Sequence, residues 1–130
     1  MSTKSQKKIN FIIDGEPASK SNSRKIVTFG KRPALIKSEK ARNYEKMFAQ
    51  QCPQLENLIE NDVKVELIIY YASRRPDLDE SVVLDCMQGK IYVNDRQVKQ
   101  KIVYWGLDRE RPRTHVRVSP LEICDVPSDF

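Results

Sequence analysis

The chain has 130 residues, of which 39% are hydrophobic and 32% are charged, as in a globular protein with a heavily charged surface. No apolar stretch approaches the roughly 18 residues of a membrane span, and residues 1–4 lack the apolar core of a signal peptide, so we expect a cytoplasmic protein with no membrane association. Its three cysteines have no CxxC or Cys/His spacing, which argues against a disulfide framework and against a zinc site.

Positive charge is concentrated in the first part of the chain. Residues 1–50 contain 12 Lys and Arg against 4 Asp and Glu, whereas residues 51–130 contain 11 against 14. A basic part that docks phosphates, joined to an acidic part that could hold a cation, suits a nucleic-acid enzyme. A solvated charged surface would show the same asymmetry, so charge alone leaves both interpretations open.

Apolar periodicity and turn residues predict an α+β fold, with a small mixed β-sheet and two main helices packed on it. We expect one domain spanning 1–130, with a frayed N-terminus (1–8), a mobile polar loop (18–24) and an acidic C-terminal tail (119–130). The strongest strand signal, 63–72, predicts a central strand. The first predicted elements are strands at 9–13 and 26–29, an extended piece at 34–36, and a helix at 39–51 with Ser38 as N-cap and Pro53 beyond its end. The strand at 63–72 follows, and then a helix at 80–88 with Gly89 after it. The last predicted elements are an extended piece at 91–93 and strands at 98–104 and 115–118, which a hairpin loop at 106–112 connects.

Two aspartates follow the predicted central strand in the segment RRPDLDES, residues 74–81. If the backbone is still extended there, Asp77 and Asp79 point to the same side and could share one cation. The alternative is helix capping, because Asp77 and Glu80 have the spacing of a capping box. On local pattern alone, both interpretations remain open.

A third acid favours the metal. Asp95 follows the predicted helix, and a strand–helix–strand passage of this length can return it towards Asp77 and Asp79. Three carboxylates with no His or Cys beside them suit a hard cation such as Mg²⁺ or Mn²⁺, which can activate water and neutralise charge on a phosphate. Asp85 is either a helix-surface acid or an outer-shell partner of this cluster.

Several motifs together resemble the RusA-like Holliday junction resolvases. In order they are Gly15-Glu16-Pro17 before a basic loop, SEKARNY at 38–44, RPDLDE at 75–80, Leu84-Asp85, GKIYVNDRQV at 89–98 and the alternating last strand. The resemblance covers roughly residues 9–118. It implies a homodimeric, Mg²⁺-dependent endonuclease that cuts four-way and other branched DNA without a small-molecule cofactor, often encoded by phages or prophages. It also implies that Asp77, Asp79 and Asp95 are the metal-binding, catalytic aspartates.

The sequence departs from the family pattern at three places beside these acids. Glu80 stands where the family has Asn, and Asn94-Asp95 stands where the family has an Asp pair. The catalytic lysine that the family carries on the helix is absent, since no lysine occurs between Lys64 and Lys90. Lys90, Lys99 and Lys101 are the lysines that could reach the site from other elements. We assign Glu80, Asp85 and Lys90 to a possible outer shell.

The basic residues have a corresponding interpretation. If the resemblance holds, they contact the DNA backbone, which gives affinity and salt dependence but little sequence reading. Each could equally be a solvated surface cation. The predicted DNA-binding residues are Lys20, Arg24, Lys25, Lys31, Arg32, Arg74 and Arg75.

Three functions follow from the sequence. The first is a metal-dependent endonuclease for branched DNA, and the second is a relative that binds branched or single-stranded nucleic acid without cutting it. The third is a small basic protein-interaction domain with capped helices and no metal.

Overall fold

The computed structural model describes residues 8–18, 24–30 and 32–121. The predicted frayed start up to residue 7, residues 19–23 of the predicted loop at 18–24, and the tail beyond residue 121 lie outside the described residues. The loop prediction is wrong at Arg24, which already belongs to a strand. The elements are β1 (Ile9–Asp14), β2 (Arg24–Phe29), β3 (Arg32–Lys37), α1 (Glu39–Gln51), β4 (Val63–Tyr71), α2 (Ser81–Met87), a single 3₁₀ turn (Asp95–Gln97), β5 (Val98–Leu107) and β6 (Arg113–Pro120).

Four strands form a mixed sheet in the order β1-β6-β4-β5. The central strand β4 pairs antiparallel with β6 and parallel with β5, and α2 lies in the crossover that a parallel pair requires. β2 and β3 form a separate two-stranded antiparallel hairpin. The predicted α+β fold, with a mixed sheet, two helices and a central strand at β4, is therefore confirmed.

Local signals determine α1. The Ser38 hydroxyl accepts a hydrogen bond from the Ala41 amide at 3.2 Å, and the helix ends at Cys52, directly before Pro53. Ala41, Tyr44 and Phe48 are buried along one face, so α1 has the predicted bounds and packs through the predicted side. In the described ranges, neither helix has the length and apolar character to cross a membrane.

One face of the sheet carries the core. Along β4 the residues alternate between buried and half-buried, with Val63, Val65, Leu67, Ile69 and Tyr71 buried. Both helices pack on this face, and burying one large apolar side chain there contributes about 1.5–3 kcal/mol. The buried cluster is made of Ile13, Tyr44, Phe48, Cys52, Val63, Val65, Leu67, Val83, Leu84, Met87, Ile91, Tyr92, Val116 and Val118.

The later elements differ in extent from the prediction. The helix α2 is shorter than 80–88, although Gly89 follows it at φ 82°, as expected after a helix end. β5 and β6 are longer than predicted and leave only 108–112 as loop, because nine residues of β4 offer pairing partners as far as Tyr71 opposite Leu107. β6 therefore includes residues 119 and 120, which were assigned to the tail. The register of β5 shifts at its start, between Val63 and Lys64 of β4.

The predicted extended piece at 91–93 is wrong. The Ile91 amide bonds to the Met87 carbonyl at 2.9 Å, in a tight turn after α2. Tyr92 makes only isolated bridges, to Ile59 and Gln88. Contacts with the helix end thus override the β-favouring residue types of this segment.

Gly106 lies under an aromatic ring on the other side of the sheet. A Cβ at this position would approach Cδ1 of Tyr70 to 2.6 Å, and that ring also contacts His115 and the guanidinium of Arg113, which lies 4.2 Å from the ring centre. We predict that Gly106→Ala lowers the free energy of unfolding by about 1–2 kcal/mol, because the ring must shift. Urea denaturation measures this cost. In a Tyr70→Ala background the cost should largely disappear, and an equal cost in both backgrounds would contradict the explanation.

Candidate active site

The segment after β4 is held by a tyrosine at the end of the buried face. Tyr71 is 1% exposed, and its hydroxyl donates to the Asp77 carbonyl at 3.1 Å and accepts from the Asp79 amide at 3.2 Å. Burial raises the pKa of Tyr71, so the hydroxyl stays protonated and can make both bonds at once. One core residue therefore fixes the backbone on which both aspartates stand.

A second hydrogen bond joins this segment to the turn that follows β1. The Ala72 amide donates to the Glu16 carboxylate at 2.8 Å, and Glu16 also pairs with Lys40 of α1 at 3.6 Å. Gly15, at φ 109°, makes the turn before it and donates its amide to the Pro112 carbonyl. This role of Glu16 is not predicted from the sequence, although the residue lies in the Gly15-Glu16-Pro17 motif.

Asp77 and Asp79 differ in their surroundings. Asp77 is exposed, whereas Asp79 is half-buried and accepts from the amide and the hydroxyl of Ser81, at 3.0 and 2.7 Å. The residue at the N-cap of α2 is Glu80, and it makes no side-chain cap bond. The capping box of Asp77 with Glu80 is therefore wrong, and Asp79 connects the segment to the first turn of the helix instead.

Asp95 lies beside Asp85. The Asp95 amide donates to the Gln88 side chain at 3.0 Å, which places Asp95 next to α2. Burial, followed by a hydrogen bond to Asp95 and the charge of Asp95, raises the pKa of Asp85. Asp85 is thus both an exposed helix residue and an immediate neighbour of a predicted metal ligand.

The NDRQ motif at 94–97 explains how Asp95 is presented. Asn94 accepts from the Arg96 amide, and the Gln97 side chain accepts from the amides of Val93 and Asn94. The Gln97 amide group also donates to the Ile59 and Asn61 carbonyls. These two side chains cap the 3₁₀ turn at its start and leave the carboxylate of Asp95 free of the capping role.

The three predicted metal ligands are not grouped. Within residues 8–18, 24–30 and 32–121, no three or more His, Cys, Asp or Glu side chains are placed to hold a metal ion. The structure brings Asp95 to Asp85 and ties Asp79 to Ser81, so convergence of Asp77, Asp79 and Asp95 stays a prediction. All of the predicted donors are carboxylate oxygens, which suit a hard divalent cation. A cation would also offset the repulsion between the contacting carboxylates of Asp85 and Asp95.

The comparison with known families bears directly on these motifs. The sequence profile of the family described as Endodeoxyribonuclease RusA matches residues 14–119, from the end of β1 to the end of β6. The chain belongs to the RusA endodeoxyribonuclease family. The resemblance drawn from the motifs is thereby confirmed, and with it membership of a nuclease family that acts on branched DNA junctions.

The helix α2, whose sequence is SVVLDCM, contains no lysine. Of the three lysines considered from sequence, Lys101 reaches this region, because β5 turns its side chain to the helix side and its Nζ pairs with the Glu80 carboxylate. The backbone of Lys90 instead joins the end of α2 to Leu55. Glu80, placed in the outer shell from sequence, is therefore the partner of a lysine on the neighbouring strand.

Basic and aromatic residues border the RusA-family motif at 75–80. Arg74 and Arg75 are exposed, and the guanidinium of Arg74 lies 6.0 Å from the ring centre of Trp105. Trp105 stacks on Tyr71 at 6.3 Å, so the same tyrosine supports both the acidic segment and this basic edge.

The remaining predicted DNA contacts are described only in part. Arg32 is exposed at the start of β3, and Arg24 and Lys25 belong to the backbone of β2. The side chains of Arg24 and Lys25, and the whole of Lys20 and Lys31, lie outside the description. Their contacts with DNA stay predictions.

Removing the Tyr71 hydroxyl should loosen the acidic segment. We predict that Tyr71→Phe speeds amide exchange at 77–81, because the acceptor of the Asp79 amide is lost, and costs about 1 kcal/mol of stability. Hydrogen exchange followed by peptide mass spectrometry measures both. Tyr92→Phe is the matched control, since the buried Tyr92 hydroxyl donates to the Leu84 carbonyl at 2.7 Å. It should destabilise similarly without selective exchange at 77–81; equal exchange in the two variants would contradict the role of Tyr71.

Proposed function

We propose that this protein is a divalent-metal-dependent endonuclease that cuts Holliday junctions and other branched DNA, with Asp77, Asp79 and Asp95 as its metal-binding aspartates. The observation that carries the proposal is the family match over residues 14–119, which includes every one of these acids. A cytoplasmic location, a phage or prophage origin, and independence from any small-molecule cofactor belong to the same proposal.

The chemistry of the chain supports this function. Mg²⁺, or Mn²⁺ in its place, would activate water and neutralise charge on the phosphate under attack. The chain supplies carboxylates for that ion, with Asp85 as an additional neighbour of Asp95, and it holds the backbone of 77–79 through Tyr71. Such preorganisation avoids a reorganisation cost at the moment of reaction.

The surface around these acids suits a phosphate backbone. Arg74 and Arg75 are exposed beside the acids, and the first 50 residues carry the excess of positive charge. A four-way junction has approximate two-fold symmetry, so paired cuts call for two copies of the site in a C2 homodimer. Phosphate contacts of this kind bind branched DNA with a strong salt dependence.

A non-cleaving DNA-binding protein is the second candidate. Two observations favour it: the described residues have no three-acid group, and α2 has no lysine. Binding of DNA through the basic surface requires neither a three-acid group nor a lysine on α2.

Cleavage of a synthetic four-way junction in Mg²⁺ separates the two functions. We expect the native chain to cut, and Asp79→Asn and Asp95→Asn to lose on the order of 100-fold or more in rate, because each loses one anionic ligand. The side-chain amide oxygen that Asp79→Asn introduces can still accept from Ser81, so the segment should stay folded. The control is Asp62→Asn, at an exposed acid outside the motif.

The outcomes differ clearly. Cutting by the native chain and by Asp62→Asn, with none after chelation, supports the nuclease. Tight junction binding without cutting by any variant supports the second candidate. Unchanged cutting by both Asp79→Asn and Asp95→Asn would exclude these residues as the metal-binding aspartates.

Lys101 is the lysine that we propose acts at this site. Its pairing with Glu80 keeps a positive charge next to the segment that carries Asp79. We predict that Lys101→Ala slows junction cleavage on the order of 10- to 100-fold, because a charge that stabilises the transition state is removed. Lys101→Arg should recover part of the rate. Lys99→Ala, at an exposed lysine two residues away, is the control, and equal rates for the two alanine variants would contradict the assignment.

A further inference from the structure

The face of the sheet turned away from the helices is called here the open face. It consists of the even-numbered residues of β1 and β4, the even-numbered residues of β5 from Gln100 onward, and the odd-numbered residues of β6. Among the described residues, no helix covers it. The pairing register places Ile12, His115, Ile68 and Tyr104 side by side in a row across all four strands.

This middle row is unusually apolar for a face in water. Ile12 is 45% exposed and Tyr104 is 56% exposed, whereas a solvent-facing sheet normally presents polar residues. Burial, together with Arg113 and Arg111, lowers the pKa of His115, so the row is uncharged at neutral pH. A groove of about 540 Å³ runs beside the row, and both Ile12 and Tyr104 line it.

Charged residues flank the row on each side. Towards one end of the strands, Arg117 pairs with Glu66 across β6 and β4, at 2.9 Å. Towards the other end, Arg113 of β6 lies over the ring of Tyr70 of β4. Both pairs join the same two central strands, with the cation on β6 and its partner on β4.

We propose that the open face binds a second copy of this chain, around a two-fold axis that runs parallel to the strands between β4 and β6. This rests on the homodimer of the proposed function and adds the surface that forms it. This axis places β4 of one copy opposite β6 of the other, and β1 of one copy opposite β5 of the other.

The exchange makes the face complementary to itself. Glu66 of one copy meets Arg117 of the other, twice, and Arg113 meets Tyr70 in the same manner. In the middle row, Ile12 meets Tyr104, and the groove beside Ile12 receives the tyrosine ring. An axis perpendicular to the strands would instead bring Arg113 opposite Arg117, so charge selects the parallel axis.

The size of the face is adequate for a reversible dimer. Four strands at the usual spacing form a surface of roughly 20 Å by 20 Å. Two such faces bury on the order of 1,000 Å² in total, at the lower end of specific interfaces. Dissociation on dilution is therefore expected.

The arrangement also suits the proposed substrate. A two-fold axis parallel to the strands leaves the carboxyl ends of both β4 strands at the same end of the dimer. The two acidic segments that follow Tyr71 then face one junction together, while the helices stay on the outside.

Charge reversal tests the pairing across the interface. We expect full-length Glu66→Arg and Arg117→Glu each to be monomeric in analytical ultracentrifugation at concentrations where the native chain is dimeric, since each places like charges opposite each other. An equimolar mixture of the two variants should dimerise again, because both cross-interface pairs are restored. Pairing only within one chain cannot produce that recovery.

Apolar variants test the middle row. Ile12→Asp and Tyr104→Asp should weaken dimerisation at least 10-fold, while Val93→Asp, at a 52% exposed residue outside the open face, should not. Circular dichroism and thermal unfolding check that each variant remains folded.

Each result bears on a different part of the proposal. A native chain that is monomeric at several hundred micromolar would overturn the dimer itself. A dimer that persists in all open-face variants would show that the two copies meet through a different surface, and would overturn the open face as the interface. Variants that keep the dimer but lose junction binding would assign the open face to DNA and overturn it as a dimer interface. Junction cleavage by Asp79→Asn, measured separately, reports on the nuclease and leaves the interface result unaffected.

Discussion

Burial of one face of β4 under the two helices is the constraint on which the rest of the structure depends. It places Tyr71, the last residue of that strand, in the core with its hydroxyl at the edge. From there the hydroxyl bonds to both sides of the Asp77–Asp79 backbone. The buried side of β4 thus positions the polar segment that follows it, through the side chain of Tyr71.

The acids near this segment are compensated by several different partners. Ser81 donates to Asp79, Lys101 pairs with Glu80, and Lys40 pairs with Glu16. Asp85 and Asp95 instead contact each other, and burial together with this contact raises the pKa of Asp85. The helix α2 and the 3₁₀ turn bring Asp85 and Asp95 together, and a bound cation would offset the repulsion between their carboxylates.

Sequence predicted the parts of the fold that local signals determine. Ser38 and Pro53 mark the limits of α1, and the apolar pattern of 63–72 identified the central strand. The extended piece at 91–93 was wrong because its conformation depends on the end of α2, a tertiary contact. The lengths of β5 and β6 likewise depend on the partner strand and not on their own residues.

The candidate site was predictable in its residue types and less so in its contacts. The motif at 75–80 and Asp95 were visible as spaced carboxylates, and the family match covers the residues that contain them. The contact of Asp85 with Asp95 depends on the path of the crossover, and the pairing of Lys101 with Glu80 depends on strand register. Neither has a local pattern, so only the three-dimensional structure shows them.

The register shift at the start of β5 has a consequence for solubility. β5 is an edge strand, and a long regular edge is a template for adding strands from other molecules, the first step of amyloid-like aggregation. The irregularity between Val63 and Lys64, together with the charges of Lys99 and Lys101 along the strand, disfavours such addition. Both features make pairing of two chains through their β5 edges less favourable.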